Sequence, residues 1–213
     1  MREIVVLHRD EHLVVVDKPA GVLVVPAPGR SGATLVDLVS QQLGVRLQAV
    51  HRLDEDTTGA IVLACTDAGR AAMEERFRAH AVEREYLALV AAAPSPPAGR
   101  IESNLQEDAG GVVRVVPRGG QRAVTHYRTL ARRGRNTLVS CRLETGRRNQ
   151  IRAHLAALGS PLVGDRKYGF RSRAGERWPR VMLHSWRLSF AHPLSGERIA
   201  VTVEPAEPEL RAE

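Results

Sequence analysis

Only two cysteines, Cys65 and Cys141, occur in 213 residues, and each sits inside an apolar run, "AIVLAC" and "LVSC". Cysteines in that setting read as small buried hydrophobes. Without a Cys-x-x-Cys spacing or a secretory context they argue against a disulfide framework and against a thiolate zinc site. Long apolar runs are missing too. The amino terminus, "MREIVVLHRDEHLVVVDKPAG", is interrupted by Glu3, His8, Arg9, Asp10 and Glu11, so neither a signal-peptide core nor a membrane span of roughly 20 residues can be drawn. The expected compartment is the cytoplasm. The eight histidines form no tight cluster and no His-x-Glu signature accompanies them, which leaves no ligand set for zinc-dependent base deamination. No glycine-rich phosphate loop stands before a helix; "APGRSGA" reads as a turn and helix cap. No repeat recurs at a fixed period. Lysine is nearly absent as well, with only Lys18 and Lys167.

The cations are therefore arginines, and their placement is uneven. Between Val112 and Arg187, 18 lysines and arginines stand against three acids, Glu144, Asp165 and Glu176, a net charge of +15; the rest of the chain carries 13 against 21, a net of −8. A genomic base bias would favour arginine over lysine but would not segregate it. Concentrated positive charge attracts polyanions through counterion release and steering, which makes nucleic acid the expected partner. With 43% apolar and 26% charged residues the chain has the composition of a globular protein with a real core. Its length suits one domain, or one domain of two fused halves.

"EIVVLH" and "HLVVVDKPAGVLVVP" are rich in β-branched residues and read as strands, the latter as a pair separated by a turn at Lys18–Gly21. Leu35, Leu38, Val39 and Leu43 fall at helical spacing before Gly44, "AIVLAC" reads as a buried strand, and Thr66 is placed to cap a helix running to about Phe77 with Ala72, Met73 and Phe77 inward. "REYLALVAA" is a further strand, and the breaker-rich "PSPPAG" marks the expected end of the first half. "VTHYRTLARR" and "NTLVSCRLETG" follow as strands. "RRNQIRAHLAALG" reads as a short helix with Ile151, Leu155 and Leu158 in one stripe and a stop at Gly159, and "MLHSWRLSFAHPLSGERIAVTVE" as a closing hairpin. Few helices and no regular βαβ alternation predict an α+β fold with a mixed, mostly antiparallel central sheet. Residues 1–204 form the predicted domain and 205–213, "PAEPELRAE", a frayed tail.

The decapeptide "HRLDEDTTGA", residues 51–60, concentrates charge ahead of an apolar run. Asp54, Asp56 and Thr58-Gly59 copy the start of a calcium loop, but the twelfth position, where a bidentate glutamate must close the coordination sphere, is Cys65. The same residues match the D-x-D-x-T pattern of magnesium-dependent phosphatases, a nucleophilic aspartate followed by an acid/base aspartate. Here His51 and Arg52 interrupt the approach, and no later acidic pair supplies a metal, since "GDRKYG" is basic. A third reading takes Asp54 alone as the acting group, with Arg52 and a distant arginine as partners. Set beside it is the plain one, in which an arginine and aspartates cap and pair within a turn.

Taken with "REYLALV" and "TGRRNQIRAHLAALGSPLVGDRKYG", the decapeptide resembles motifs of the RluA family of RNA pseudouridine synthases; "VVVDKPAGVLVVP" and "LHSWRLSFAHPLSGE" resemble that family's opening and closing segments, in the same order. The resemblance runs from about Leu13 to Glu197. Two places depart from the pattern. The usual Thr-Ser-Gly is Thr57-Thr58-Gly59, and the usual Gly-Arg-Thr-His-Gln is Gly146-Arg147-Arg148-Asn149-Gln150. Many family members carry a small RNA-binding domain ahead of the catalytic region; this chain starts directly with the latter, so target choice is expected to lie in the catalytic domain and its loops, with a compact ribosomal or transfer RNA stem-loop as substrate.

The resemblance implies a single catalytic domain of two fused α+β halves with the active-site cleft between them, acting on RNA. With no ligand cluster or phosphate loop, no metal or cofactor is expected, and the default expectation is a cytoplasmic monomer without an obligate protein partner. The implied reaction isomerises uridine: the bond from ribose to N1 breaks, the uracil turns, and C5 bonds to the ribose. Asp54 matches the catalytic aspartate; as nucleophile toward the sugar or base, or as base toward a ribose proton, it must be ionised. Arg152, 98 positions on, matches the arginine that would pair with it, depress its pKa and fix its rotamer. Tyr86 matches the active-site tyrosine that stacks on the uracil, although a strand tyrosine also suits a core. Arg52 resembles the residue that fills the stack when the base is flipped out. Leu143 and Ile151 are candidate apolar walls for the base or ordinary core residues, and His51, Arg147 and Gln150 either touch substrate or hydrogen-bond the loop. Arg171 and Arg173, in "DRKYGFRSRAGERWPR" with Tyr168, Phe170 and Trp178, fit a clamp on the RNA backbone; the plain alternative is a solvated basic loop. Two other functions compete. A binding-only RNA protein would tolerate loss of Asp54, and the phosphatase would need Mg²⁺.

Overall fold

The computed structural model describes residues 3–173 and 175–212. In chain order the elements are β1 (Val6–Arg9), β2 (Leu13–Lys18), α1 (Leu35–Leu43), β3 (Gln48–Ala49), β4 (Thr58–Ala64), α2 (Asp67–Arg78), β5 (Val82–Val90), β6 (Ala98–Glu107), β7 (Val113–Val116), β8 (Gln121–Arg133), β9 (Asn136–Leu143), α3 (Gln150–Ala157), β10 (Leu183–Ala191) and β11 (Arg198–Thr202). Strands dominate, as an α+β reading requires. None of the described helices is long and apolar enough to cross a membrane. The chain divides into two units, one running to Arg84 and including Ser185–Glu204, the other comprising Glu85–His184 and the residues from Pro205 onward. The first stretch therefore ends inside β5 and not at the proline-rich segment after it. The breakers of "PSPPAG" join β5 to β6 within the second unit, so they terminate strands rather than a domain.

In the first unit the strand order is β1-β2-β4-β10, with β3 on β4 and β11 on β10. β2 and β4 are antiparallel and buried on both faces. Leu13, Val15, Val62 and Ala64 pack with Met73 of α2 and with Leu188 and Phe190 of β10. Val14, Val16, Ile61 and Leu63 alternate to the other side and are equally inaccessible. Each such side chain contributes about 1.5–3 kcal/mol by leaving water. The helices start where their caps predict. Thr34 and Asp37 form a capping box ahead of α1, which stops at Gly44 with φ 67°, and the Thr66 hydroxyl accepts from Gly69 N–H at 3.0 Å ahead of α2. "VLVVP", expected as a strand, joins no ladder. Its Leu23 and Val24 carbonyls instead accept from Leu35 and Val36 N–H, at 2.7 and 3.3 Å, satisfying the first-turn donors of α1.

In the second unit the order is β5-β9-β8-β6-β7, antiparallel throughout. Tyr86 lies opposite Cys141, and Cys141 opposite Tyr127, so these side chains share a face with Leu143 and Thr125. α3 covers that face. His154 sets Nδ1 against the Thr125 hydroxyl at 2.9 Å and Nε2 against the Ser103 hydroxyl at 3.0 Å, and its burial pushes its pKa down to about 4. Beneath the β6–β7 hairpin, Leu105, Val113 and Ala123 pack with Ala153 of α3 and with Tyr168. Residues 205–212, expected as a frayed tail, are tied down. Pro208–Leu210 form a 3₁₀ turn, Leu210 is wholly buried, Glu207 pairs with Arg180 at 2.8 Å, and the Arg211 carbonyl accepts from Arg133 at 2.9 Å. One apolar side chain and one ion pair hold what composition alone gives as a tail.

Candidate active site

The decapeptide forms the link from β3 to β4 in the first unit, and its backbone is held from below. Lys18, at the end of β2 and paired with Gly59, is fully buried; its Nζ donates to the carbonyls of Pro19 (3.0 Å), Glu55 (2.7 Å) and Thr57 (2.9 Å). A buried ammonium is tolerated only when its donors are met in this way. Gly21 N–H donates to the same Glu55 carbonyl at 3.0 Å, and Thr57 N–H closes a turn onto the Asp54 carbonyl at 3.1 Å. The Glu55 carboxylate pairs with Arg30. Asp54 is thus half-buried at the head of a fixed turn, with Arg52 exposed two residues earlier. Gly59 permits the exit into β4: its φ is +103°, and a Cβ there would lie 2.2 Å from the Ser185 carbonyl oxygen.

His51 serves this loop from inside. Its Nε2 accepts from Val62 N–H at 3.2 Å and its ring lies 4.5 Å from that of Phe77. Burial, then the charge of Arg84, push its pKa down to about 3, so the ring is neutral and fit to accept. His51 thus hydrogen-bonds the backbone of β4 behind the turn.

In the second unit Arg152 projects from α3 into a set of fixed partners. Its Nε and Nη2 donate to the two oxygens of Asp165, at 2.7 and 2.9 Å, and Asp165 is 1% exposed. Nη1 donates to Asn149 Oδ1 at 3.3 Å, and the guanidinium lies 4.9 Å from the centre of the Tyr168 ring. A side-on bidentate pair with Asp165 holds the plane of the guanidinium.

The neighbouring candidates separate clearly. Tyr86 and Leu143, 6% and 9% exposed, lie on the same sheet face as Thr125 and Cys141, and Ile151 is buried on α3. Gln150 is not disposed to touch substrate. Its Oε1 accepts from the Thr145 hydroxyl (2.7 Å) and Arg147 N–H (3.0 Å), and its Nε2 donates to the Val124 carbonyl (3.0 Å) and the Thr125 hydroxyl (2.9 Å). Those bonds use the full capacity of the amide, so Gln150 fixes the turn into α3. Arg147 is exposed, its Nε donating to the Arg122 carbonyl at 3.2 Å. Arg171 and Arg173 are exposed beyond the 3₁₀ turn Arg166–Tyr168, where an open depression of about 420 Å³ is lined by Arg166, Gly169, Phe170, Arg171 and Ser172.

Residues 12–157, which include the Asp54 turn, Tyr86 and Arg152, match the family model described as RNA pseudouridylate synthase. The chain belongs to this family. Among curated relatives of the synthase family, ribosomal large subunit pseudouridine synthase D of Zymomonas mobilis is 37% identical, with 93% of this chain and 68% of that protein covered. The protein of the same name from Nitrosomonas europaea is 39% identical over 90% of this chain and 59% of its own length. The chain thus spans about three-fifths to two-thirds of the length of these relatives. Two solved human structures share the fold: RNA pseudouridylate synthase domain containing 1 has a TM-score of 0.81 at 25% identity, covering 99% of this chain and 87% of that one, and domain containing 4 has 0.76 at 28%, covering 94% and 88%.

Within this chain, sequence reasoning missed the anchoring roles of Lys18 and Asp165, named Asn149 only as a departure from the motif, and grouped Tyr168 with the clamp on RNA, whereas its hydroxyl accepts from Val113 and Asn149 and its ring faces Arg152. A lone lysine in "VVVDKPAG" gave one signal, since a cation closing an apolar strand must find acceptors. Asp165 was obscured by the surrounding arginines of "GDRKYG", whose net charge hides the single acid that anchors Arg152.

Proposed function

We propose that the chain converts uridine to pseudouridine in structured RNA, with Asp54 as the catalytic carboxylate, Arg152 as its counter-cation and Tyr86 as the platform for the uracil. The observation that carries this reading is the Arg152 guanidinium, held side-on by buried Asp165, which fixes the plane and rotamer that a counter-cation to a catalytic carboxylate needs. A fixed cation beside the aspartate holds it in one rotamer, as nucleophilic or basic chemistry demands. Arg52, exposed on the Asp54 loop, takes the place of the extracted base in the stack and offsets part of the few kcal/mol of unstacking. Leu143 and Ile151 give the apolar flank, and Arg147, Arg171 and Arg173 hold the backbone. The reaction as proposed draws on these side chains alone and calls on no metal or cofactor.

The names of the curated relatives refer to the ribosomal large subunit, which favours a ribosomal stem-loop over transfer RNA as the target. The protein acts as a monomer in the cytoplasm, the compartment of such RNA. The test is incubation with large-subunit RNA and with transfer RNA in the presence of a chelator, followed by digestion and quantitation of nucleosides. Pseudouridine gained in large-subunit RNA is the expected result. Gain only in transfer RNA would reassign the target, and intact RNA binding without gain in either pool would favour a binding-only role.

A further inference from the structure

We propose that Asn149 and Tyr168 are positioning residues for the reaction, holding the Arg152 guanidinium in its working rotamer and tying that rotamer to the β6–β7 hairpin. This rests on the reading of Arg152 as the partner of the catalytic aspartate.

Asn149 immediately precedes α3, yet its side chain makes no cap hydrogen bond to the helix. Its backbone lies in the left-handed region, φ 50° and ψ 23°, which asparagine adopts more readily than other residues with a side chain. That conformation turns the amide toward Arg152 and Tyr168. Oδ1 accepts from Arg152 Nη1 at 3.3 Å and Nδ2 donates to the Tyr168 hydroxyl at 3.1 Å. Arginine only donates, so Oδ1 must face it and the amide orientation is fixed by chemistry. An uncharged bridge also adds no competing charge beside a guanidinium already paired with Asp165.

Tyr168 carries the second half of the argument. Its ring faces the guanidinium, and its hydroxyl accepts from Val113 N–H at 3.1 Å as well as from Asn149. Val113 opens β7, so the hairpin and the arginine meet on one phenol. Nearby contacts reinforce the link: Lys167 Nζ donates to the Gly111 carbonyl at 2.7 Å, and Arg148 pairs with Glu107. A displacement of the hairpin is therefore felt at Tyr168 before it reaches Arg152.

The test is a double-mutant cycle, with pseudouridine formation measured under single-turnover and steady-state conditions. Asn149→Gly keeps the left-handed backbone and deletes only the amide; Tyr168→Phe keeps the ring and deletes the hydroxyl. Asn149→Gly is expected to lower kcat about 10- to 100-fold, with KM for RNA changed less than about threefold and thermal unfolding little altered. Tyr168→Phe should lie in the same direction with a smaller loss. In an Arg152→Ala background, Asn149→Gly should have no further effect, because its partner is gone. A full additional loss in that background, or a change confined to KM, would overturn the positioning role. Wild-type protein that forms no pseudouridine would instead overturn the proposed function, and an Arg152→Ala variant as active as wild type would overturn the role given to the arginine.

Discussion

At the scale of single residues, the site depends on charges that are set by burial and partnership. Asp165 is the anchor of Arg152, and breaking a buried pair by removing one charge costs about 3–5 kcal/mol because the other is left uncompensated. Asp165→Asn is therefore expected to lower both stability and kcat, read by denaturant unfolding and single-turnover rates. Lys18 is the corresponding anchor of the Asp54 turn. Lys18→Met, similar in length but without donors, would strip an ammonium from the Pro19, Glu55 and Thr57 carbonyls. At about 1.5–3 kcal/mol for a charge-assisted hydrogen bond, the expected outcome is a marked fall in the unfolding midpoint. Buried histidines give a pH signature. His51 and His154 have folded pKa values pushed down to about 3 and about 4 by burial, with Arg84 adding to the effect at His51. Below the ordinary histidine pKa near 6.5 the unfolded chain binds protons that the folded chain refuses, so stability rises with pH from about 4 to 6.5 and is flat above. Each histidine contributes a slope of about 1.4 kcal/mol per pH unit in that window. His154→Gln should flatten the acid limb when unfolding is followed between pH 4 and 7.

At the scale of elements, two glycines fix the backbone beside functional segments. Gly59 and Gly164 have φ of +103° and +83°, and a Cβ would fall 2.2 Å from the Ser185 oxygen and 1.9 Å from the Arg180 oxygen respectively. Backbone atoms cannot yield as a flexible side chain can. Gly59→Ala is expected to destabilise more than a typical large core truncation, above about 3 kcal/mol, and Gly164→Ala to do likewise while displacing Asp165; thermal melts compare both with wild type. Elements with dense local signals were legible from sequence. β2, β4, β5 and β9 are β-branched runs, and Thr34, Gly44 and Thr66 bracket helices where capping chemistry says they should. "VLVVP" misled because its apolar residues are buried while its carbonyls cap α1 instead of pairing in a ladder. β6 and β7 carry no clean alternation, since they form the polar edge of their sheet. Of the proposed site residues, Asp54, Tyr86 and Arg152 could be picked out through motifs, whereas their supports lie far off in sequence. Lys18 meets the turn 37 and 39 positions away, and Asp165 lies 13 beyond Arg152. No local period encodes such pairings.

At the scale of the molecule, the segregation of charge fits the proposed binding of RNA. Arginines of the stretch from Val112 to Arg187 give the chain a regional excess that its net charge of +7 understates. Changing Arg171, Arg173 and Arg177 to alanine should weaken RNA binding at all sequences and make the dependence of log affinity on log salt shallower by about 2–3, at roughly 0.7–0.9 per phosphate contact. An unchanged slope would mean that these residues form a solvated loop. Binding and chemistry then separate in one comparison. Uridine in large-subunit RNA and transfer RNA is labelled with tritium at C5, and release is followed in chelator for the protein and for its Asp54→Asn variant. Wild-type protein should release tritium, and the variant should be slower by roughly 100- to 10,000-fold while binding RNA as tightly. Equal release by both proteins, or none from wild type with RNA bound, would contradict the assignment of Asp54 as the catalytic group of a pseudouridine synthase.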